Sequence, residues 1–384
     1  MTDKKRILLL EPFYGGSHKD VADGLKAHSR HHIDLLTLPD RFWKWRLRGA
    51  ALYWAGRLDA PQAYDGLLTS SLMSLADLNA LWGQGCPPTL VYFHENQLSY
   101  PLAPGESMDY QFGFTNISTA LAAQRLLFNS RYHLRAFAGA LPGFLRMMPD
   151  CRPNWIKKAI EEKAGVVYPG CHCIPRIPLS SAGRSRPPLV IWNHRWEHDK
   201  DPEAFFLALE AALRRGIEFE LALLGESFEN KPPVFETAVG IFGHRIVQYG
   251  QVPSREAYYQ WLRRGSVVVS TARQENFGIA VVEAMAHGCL PLLPARLSYP
   301  EILPETFHSD FLYGSQEELE TKLAHLLSHW NDFAPQRRKL AAAMSVYSWP
   351  NAVEAFDQEL DRLVLQANGS KSPASGAARA IACR

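Results

Sequence analysis

Residues 267–287 read VVVSTARQENFGIAVVEAMAH, and this stretch decides the fold. Three valines followed by Ser270 and Thr271 form a short apolar run of the kind that makes a strand buried on both faces. The segment 277–287 is apolar over helical length. A strand, a polar loop and a helix in that order make one unit of a parallel sheet covered by helices. The first amides of the helix have no partners inside it, which makes the loop after Glu275 a natural phosphate site, and Gly278 allows a ligand close to the backbone. Glu283 sits among Ala280, Val281, Val282, Ala284 and Met285 and is therefore expected to be at least partly buried. A buried carboxylate needs donors, and a ribose diol supplies two. The alternative is a helix whose glutamates happen to face solvent.

The same alternation extends in both directions. Strands are expected at 6–10, 33–38, 66–69, 89–93, 126–129 and 165–168, and again at 189–192, 218–224, 246–249, 267–270 and 290–293. Helical segments lie between them, at 19–28, 72–81, 107–123 and 131–141, then at 202–215, 254–263 and 277–287. Two such series make an α/β chain of two doubly wound domains. The expected division is a first domain over 1–175, a linker over 176–188 and a second domain over 189–348. The linker falls in a stretch rich in Pro, Ser and Gly. An amphipathic helix, 349–365, follows, with the first domain as one candidate surface for it. The acid-free, Ala/Ser/Gly-rich segment 366–384 reads as a disordered tail.

Composition narrows the class. The 384 residues carry 41 Lys+Arg against 39 Asp+Glu, a formal charge of +2, which argues against a non-specific nucleic-acid coat but not against a local basic site. No apolar run reaches the roughly 18 residues of a membrane span. The basic start before Ile7 is not a secretory leader, because Glu11 ends the apolar run too early. Six cysteines are too sparse for a disulfide scaffold, so a reducing, cytoplasmic compartment is expected.

Four further constellations stand at strand ends or in loops. Residues 192–202, WNHRWEHDKDP, place Arg195 and Lys200 after the second domain's first strand, where doubly wound sheets bind ligands, and two cations there suit a diphosphate. Asp201-Pro202-Glu203 reads as the start of a helix. Asp199-Lys200-Asp201 also has the form of a metal-holding D-x-D, and His194 with His198 that of a zinc pair, but only on a helix. In the first strand–helix junction, Gly15 and Gly16 permit close backbone approach to a ligand, or simply a tight turn. No G-x-G-x-x-G is present, so a dinucleotide site is not supported. His94, Glu95, Asn96 and Gln97 end a strand and either cap the next element or face a cleft, where His94 suits hydrogen bonding or proton transfer.

The fourth constellation, from Arg41 to Arg57, holds five basic and five aromatic residues and no acid. Cations bind phosphates and aromatic faces stack on splayed bases, so Arg41, Trp43, Lys44, Trp45, Arg46 and Arg48 suit single-stranded RNA, with Asn96 and Gln97 as further acceptor contacts. A membrane-surface helix, or a packed helix with snorkelling arginines, fits the same composition. Cys171-His172-Cys173 lacks a second ligand pair nearby, and metal binding is not expected.

Taken together, these residues resemble the GT-B glycosyltransferases of family 4, with their glycine pair, Arg and Lys after the second domain's first strand, and E-x7-E. EPFYGGSHK, TLPDRFWKWRLRGAALYWA, YFHENQLSYP, WNHRWEHDKDPE, LGESF, QENFG and YPEI are similar, more narrowly, to the tRNA-queuosine α-mannosyltransferases, over nearly all of 6–360. The resemblance implies two Rossmann-like domains facing each other across a cleft. It also implies transfer of mannose from GDP-mannose, with retention of configuration, to queuosine at the wobble position of tRNA for aspartate. Arg195 and Lys200 would then hold the diphosphate, Glu275 the donor sugar, and Glu283 the ribose. Asn276, Phe277, Gly278 and Ile279 would line the donor site, Gly15 and Gly16 would let the first domain close on it, and His94 would approach the transferring sugar. No metal or other cofactor is implied. The expected partners are tRNA and the nucleotide sugar, with no integral membrane contact. Ser17-His18-Lys19 stands where many family members have an arginine, and His94 is followed by Glu-Asn rather than the commoner Asp.

Overall fold

A computed structural model describes residues 4–101, 105, 108–172, 187–225 and 231–370. The first sheet is built from β1 (Arg6–Tyr14), β2 (His32–Pro39), β3 (Gly66–Ser70), β4 (Thr89–Phe93), β5 (Arg125–Phe128) and β6 (Ala164–Val166). All pairings are parallel and the order is β2-β1-β3-β4-β5-β6. The second sheet contains β7 (Leu189–Trp192), β8 (Glu220–Leu223), β9 (Ile246–Tyr249), β10 (Val267–Val269), β11 (Leu290–Pro294) and β12 (Leu312–Tyr313). Its order, β12-β11-β10-β7-β8-β9, again all parallel, differs from that of the first. Counted from each sheet's own first strand, the first domain is flavodoxin-like and the second has the Rossmann order, the two common doubly wound solutions. Central strands such as Gly66–Ser70, Thr89–Phe93 and Leu189–Trp192 are buried at every position, as expected when helices cover both faces.

The sequence reading needs several adjustments. The strand β12 was not expected, because a two-residue strand leaves no pattern to find. β1 runs past residue 10 through Glu11-Pro12-Phe13 to Tyr14, with a shift of register against β2 between Glu11 and Tyr14. The last helix spans Trp349–Ser370, so residues 366–370 are helical and not part of a disordered tail. Gln366 and Ala367 are good helix formers and simply extend it. The linker 176–188 and the tail lie largely outside the described residues. Cys171 is disulfide-bonded, a pairing that the sparse cysteine count did not suggest.

The last helix returns to the first domain. Phe356, Leu360, Leu363 and Val364 join Ile7, Leu9, Val21 and Leu25 in one apolar cluster. Arg125 donates to Glu359 at 2.6 Å, and the Arg30 backbone N–H donates to Asp357 at 3.0 Å. The crossing itself is tight. Cys171 N–H donates to the Tyr347 carbonyl at 2.8 Å, Cys171 bridges Ser348 in parallel, and Trp349 is 1 % exposed. A Cβ at Gly24 or Gly170 would lie within 2.4 Å of the Trp349 ring, so both positions must be glycine for that ring to seat.

Candidate active site in the interdomain cleft

The carboxyl ends of both sheets meet in the cleft. From the second domain comes the loop between β10 and the helix Ile279–Ala286. Glu275 folds back on this loop, its Oε1 accepting the N–H of Gly278 at 3.1 Å and of Phe277 at 3.4 Å. Gly278 has φ +92°, a left-handed conformation that favours glycine, and its Cβ position would meet Tyr299 at 3.3 Å. Lys200, 7 % exposed, directs its Nζ to the Gln274 carbonyl at 2.7 Å, to Asp199 at 3.1 Å and to Glu275 Oε2 at 3.5 Å. Burial alone would favour the protonated form of Glu275. The charge of Lys200, together with His194, the Phe277 N–H and Arg195, outweighs it and holds the carboxyl below its ordinary value. Arg195 is half-exposed and pairs with Glu197 at 3.1 Å, leaving its guanidinium at the cleft.

Glu283 is buried as anticipated and accepts from the Tyr259 hydroxyl at 3.3 Å. Burial pushes its pKa up to about 7, against the pull of Arg255. Arg255 itself is ion-paired to Asp20 of the first domain. His194 is buried and, through burial and the charge of Lys200, kept neutral with a pKa near 4.

The first domain contributes His94 at the end of β4. Its carbonyl accepts from Asn129 at 3.0 Å and, across the cleft, from Asn276 at 3.2 Å. Its ring stacks on His18 with centroids 3.9 Å apart. Burial, reinforced by the charge of His18, holds the His94 pKa well below the usual imidazole value. His18, noted from the sequence only as part of the stretch that stands in place of an arginine, is central. Its Nδ1 bonds Glu11 at 3.1 Å and its Nε2 bonds Glu95 at 3.1 Å. Burial disfavours its charge, but the two carboxylates prevail and push its pKa up to about 10. The available signals were Glu11 ending an apolar strand and a histidine in the first turn of the next helix.

Further contacts close the cleft. Glu301 accepts from the N–H groups of Arg131 at 2.7 Å and Tyr132 at 2.9 Å and from the Tyr168 hydroxyl at 2.7 Å. It thereby caps the helix Arg131–Arg146, which has no acid of its own in the first turn. The Ser130 hydroxyl donates to the Asn276 carbonyl.

Several anticipated residues serve otherwise. The Phe277 ring packs against Tyr347 and Tyr168, so only its backbone borders the loop. Asn96 is 1 % exposed and its side chain closes its own turn on Leu98 and Ser99, at 3.0 and 2.9 Å. It is therefore not available to an acceptor, while Gln97 stays half-buried. The place of a Gly15 side chain is filled by Asp40, whereas Gly16, at φ +50°, faces open space. Asp201 begins its helix without capping it, and its carboxylate pairs with Arg273 at 2.9 Å. The two acids of the D-x-D thus serve different cations. Among the described residues the grouping with metal-like spacing is Glu11, His18 and His94.

The basic-aromatic segment divides by face. Helix Trp43–Ala55 buries Leu47, Ala50, Ala51 and Trp54, at helical spacing, in the first domain's core. Trp43 is half-buried against Phe112, and Arg48 donates to Thr115 at 2.8 Å. Arg46 reaches the Pro39 carbonyl at 3.3 Å. Trp45 is 78 % exposed and Phe42 67 %, flanked by exposed Arg41 and Lys44.

Known proteins resemble the chain along nearly its whole length. The family described as tRNA-queuosine alpha-mannosyltransferase N-terminal matches residues 6–171, and glycosyl transferases group 1 matches 177–344. A tRNA-queuosine alpha-mannosyltransferase of Drosophila melanogaster is 36% identical over 345 residues, 87% of this chain and 90% of that protein. A GDP-mannose:cellobiosyl-diphosphopolyprenol alpha-mannosyltransferase of Xanthomonas oryzae pv. oryzae (strain PXO99A) is 26% identical over 176 residues, 44% of this chain and 46% of that one. Among solved structures, sucrose-phosphate synthase from Thermosynechococcus elongatus shares the fold, with a TM-score of 0.68 at 16% identity over 96% of this chain and all of that one. Two parallel sheets facing across a polar cleft are the GT-B arrangement, and with the identity to the Drosophila protein along nearly the whole chain, the protein belongs to the tRNA-queuosine α-mannosyltransferases, within the group 1 glycosyltransferases.

Proposed function

We propose that the protein is a retaining glycosyltransferase that moves mannose from GDP-mannose to queuosine at the wobble position of tRNA for aspartate, without a metal, in the cytoplasm. The observation that carries this reading is the meeting of Asn276 with the His94 carbonyl at 3.2 Å. The loop that suits a nucleotide diphosphate and the strand end that suits an acceptor lie side by side. The Drosophila relative, named for this activity, supports the substrate pair.

In this reading the donor diphosphate lies at the first turn of helix Ile279–Ala286, beside Arg195 and Lys200. Lys200 exchanges its weakest contact, the 3.5 Å one to Glu275, for a phosphate oxygen. The bond from the mannose anomeric carbon to the phosphate oxygen breaks, and charge grows on the diphosphate. The two cations and the helix N-terminus stabilise that charge, a task that metals perform elsewhere. The acceptor hydroxyl forms the new bond on the same face, and its proton passes to the leaving phosphate, giving GDP. Neutral His94 orients the transferring sugar. Glu283 takes the ribose hydroxyls, and the exposed face bearing Arg41, Phe42, Lys44 and Trp45 meets the RNA. No described helix is long and apolar enough to cross a membrane, consistent with a polymer acceptor in water.

The test is to incubate the protein with GDP-mannose and queuosine-containing tRNA and weigh the nucleosides. Queuosine heavier by one hexose, in α linkage and unaffected by EDTA, is expected. A β-linked product would overturn retention, and loss of activity in EDTA would overturn metal independence. Flotation with liposomes and no RNA binding would favour a lipid-linked acceptor.

A further inference from the structure

We propose that Glu95 is the acceptor-hydroxyl contact: one carboxylate oxygen takes the hydrogen bond of a hydroxyl on the acceptor while the other is held by Glu11 and His18 acting in series. The inference rests on the transferase reading above and names a residue that reading leaves idle.

The three side chains form a chain of fixed parts. Glu11 Oε1 accepts three hydrogen bonds, from Phe13 N–H at 2.9 Å, the Ser70 hydroxyl at 3.1 Å and His18 Nδ1 at 3.1 Å. His18 thus rests on a carboxylate that is itself immobile. Its opposite nitrogen, Nε2, reaches Glu95 Oε2 at 3.1 Å. Both ring nitrogens donate, which requires the imidazolium, and a flat ring with donors pointing opposite ways fixes the line between the two carboxylates. The Glu95 backbone is fixed as well. The Ser71 hydroxyl donates to its carbonyl at 2.9 Å, His94 before it is held by Asn129 and Asn276, and Asn96 after it is locked in its own turn. Glu11 lies on β1 and His18 in the first turn of the helix that follows it, Ser70 and Ser71 come from the end of β3, and Glu95 from the end of β4. This is where the strand order of the first sheet reverses, the place where doubly wound sheets bind ligands.

Against this rigidity stands one unused atom. Glu95 Oε1 is buried and, among the described residues, has no hydrogen-bond partner. A carboxylate oxygen removed from water without a donor is unfavourable, and such atoms in native structures ask for an explanation. The protein groups nearest in kind are engaged elsewhere. The Tyr100 hydroxyl turns to Asp199 at 3.5 Å, and Arg195 pairs with Glu197. His18 neutralises one of the two carboxylates, so the chain keeps one net negative charge. That charge suits a neutral hydroxyl donor and repels a phosphate. The donor's anionic groups therefore belong with Lys200 and Arg195, and the hydroxyl at Glu95 belongs to the acceptor. Glu95 lies on the same domain as the exposed Trp45, which suits an RNA. His18 and Glu11 act through Glu95 and are positioning residues.

The test uses the full chain with queuosine-containing tRNA and saturating GDP-mannose. Glu95→Gln should lower kcat/KM for the RNA about 100-fold, the loss of one charge-assisted hydrogen bond. The Kd for GDP, measured by calorimetry, should stay within about twofold. Glu95→Asp should recover part of the loss. His18→Gln should lower transfer less and move the acid limb of the pH–rate profile upward, because Glu95 loses the cation that keeps it ionised. A purely structural role would not move that limb. A Glu95→Gln enzyme as active as an active wild type would overturn this inference alone. So would a Kd for GDP-mannose that weakens in step with transfer, which would make Glu95 a donor contact. So would activity lost in EDTA and restored by a divalent ion, which would make the cluster a metal site. A wild type that adds no hexose to queuosine would overturn this inference and the function together.

Discussion

Each domain buries one cation between two carboxylates at the carboxyl end of its sheet. In the first it is His18, between Glu11 and Glu95, and in the second Lys200, between Asp199 and Glu275. The arrangements look alike but do different work. An imidazolium is planar, and its two donors point in opposite directions, so His18 fixes a distance. A lysine head carries three donors on a flexible stem, and Lys200 adds a carbonyl, that of Gln274, to its two acids. It can release one partner and take a phosphate oxygen without losing its place. The first domain thus holds a rigid spacer and the second an exchangeable charge. A similar contrast runs through the sheets, which reach the cleft by different strand orders.

The sharpest way to break this comparison is Lys200→Ala. If the lysine moves to the leaving diphosphate, turnover at saturating substrates should fall by about 10³-fold, as when one preorganised transition-state donor is lost. A drop of only a few-fold would make Lys200 as static as His18. The reverse test is stability. His18→Ala leaves Glu11 and Glu95 facing each other without a cation and should destabilise the protein by roughly 3–5 kcal/mol in chemical denaturation, the scale of a broken buried pair.

A smaller effect separates the interior of the first domain from its outer face. Trp45→Ala should weaken tRNA binding by about 5–30-fold, the loss of one base–aromatic stack, and leave the melting temperature unchanged because the ring is 78 % exposed. Unchanged affinity would assign RNA binding to another surface.

Acidity should give the smallest effect. His18, raised to about 10, contributes stability that is complete below about 6.5 and lost as pH rises towards 10. Glu283, raised to about 7, contributes stability that is complete below its ordinary value and lost as pH rises through 7. GDP affinity should therefore tighten several-fold across pH 7 as Glu283 ionises and accepts the ribose hydroxyls. Calorimetry on Glu283→Gln should show no such step, and a persisting step would place the ribose elsewhere.

Much of this was legible from the chain. Apolar runs separated by helical stretches gave eleven of the strands, because central parallel strands are apolar on both faces and stand out. Glu283 was marked because an acid among apolar residues needs a reason, and Lys200 and Glu275 because they stand in loops after strands of the second sheet. β12 was invisible at two residues. Glu95 and His18 were both noted, one at a strand end and the other in place of an arginine, but given no role, because their significance lies in each other. They are 77 positions apart, and only the pairing of β1, β3 and β4 brings them together. Asn96 is the converse: a polar residue at a strand end whose side chain is taken up by Leu98 and Ser99, two and three places on. The aromatic stretch was ambiguous because one helix carries both answers, Trp54 inward and Trp45 outward.

The seating of Trp349 over Gly24 and Gly170 has a mechanical consequence. Cys171, at the end of the first domain, lies beside Ser348, where the chain returns to that domain, like adjacent knuckles on one pin. A body joined at two neighbouring points keeps chiefly one rotation. Swinging about that pin would part Glu301 from Arg131 and Asn276 from His94, the contacts of the mouth, while Trp349 stays where it is.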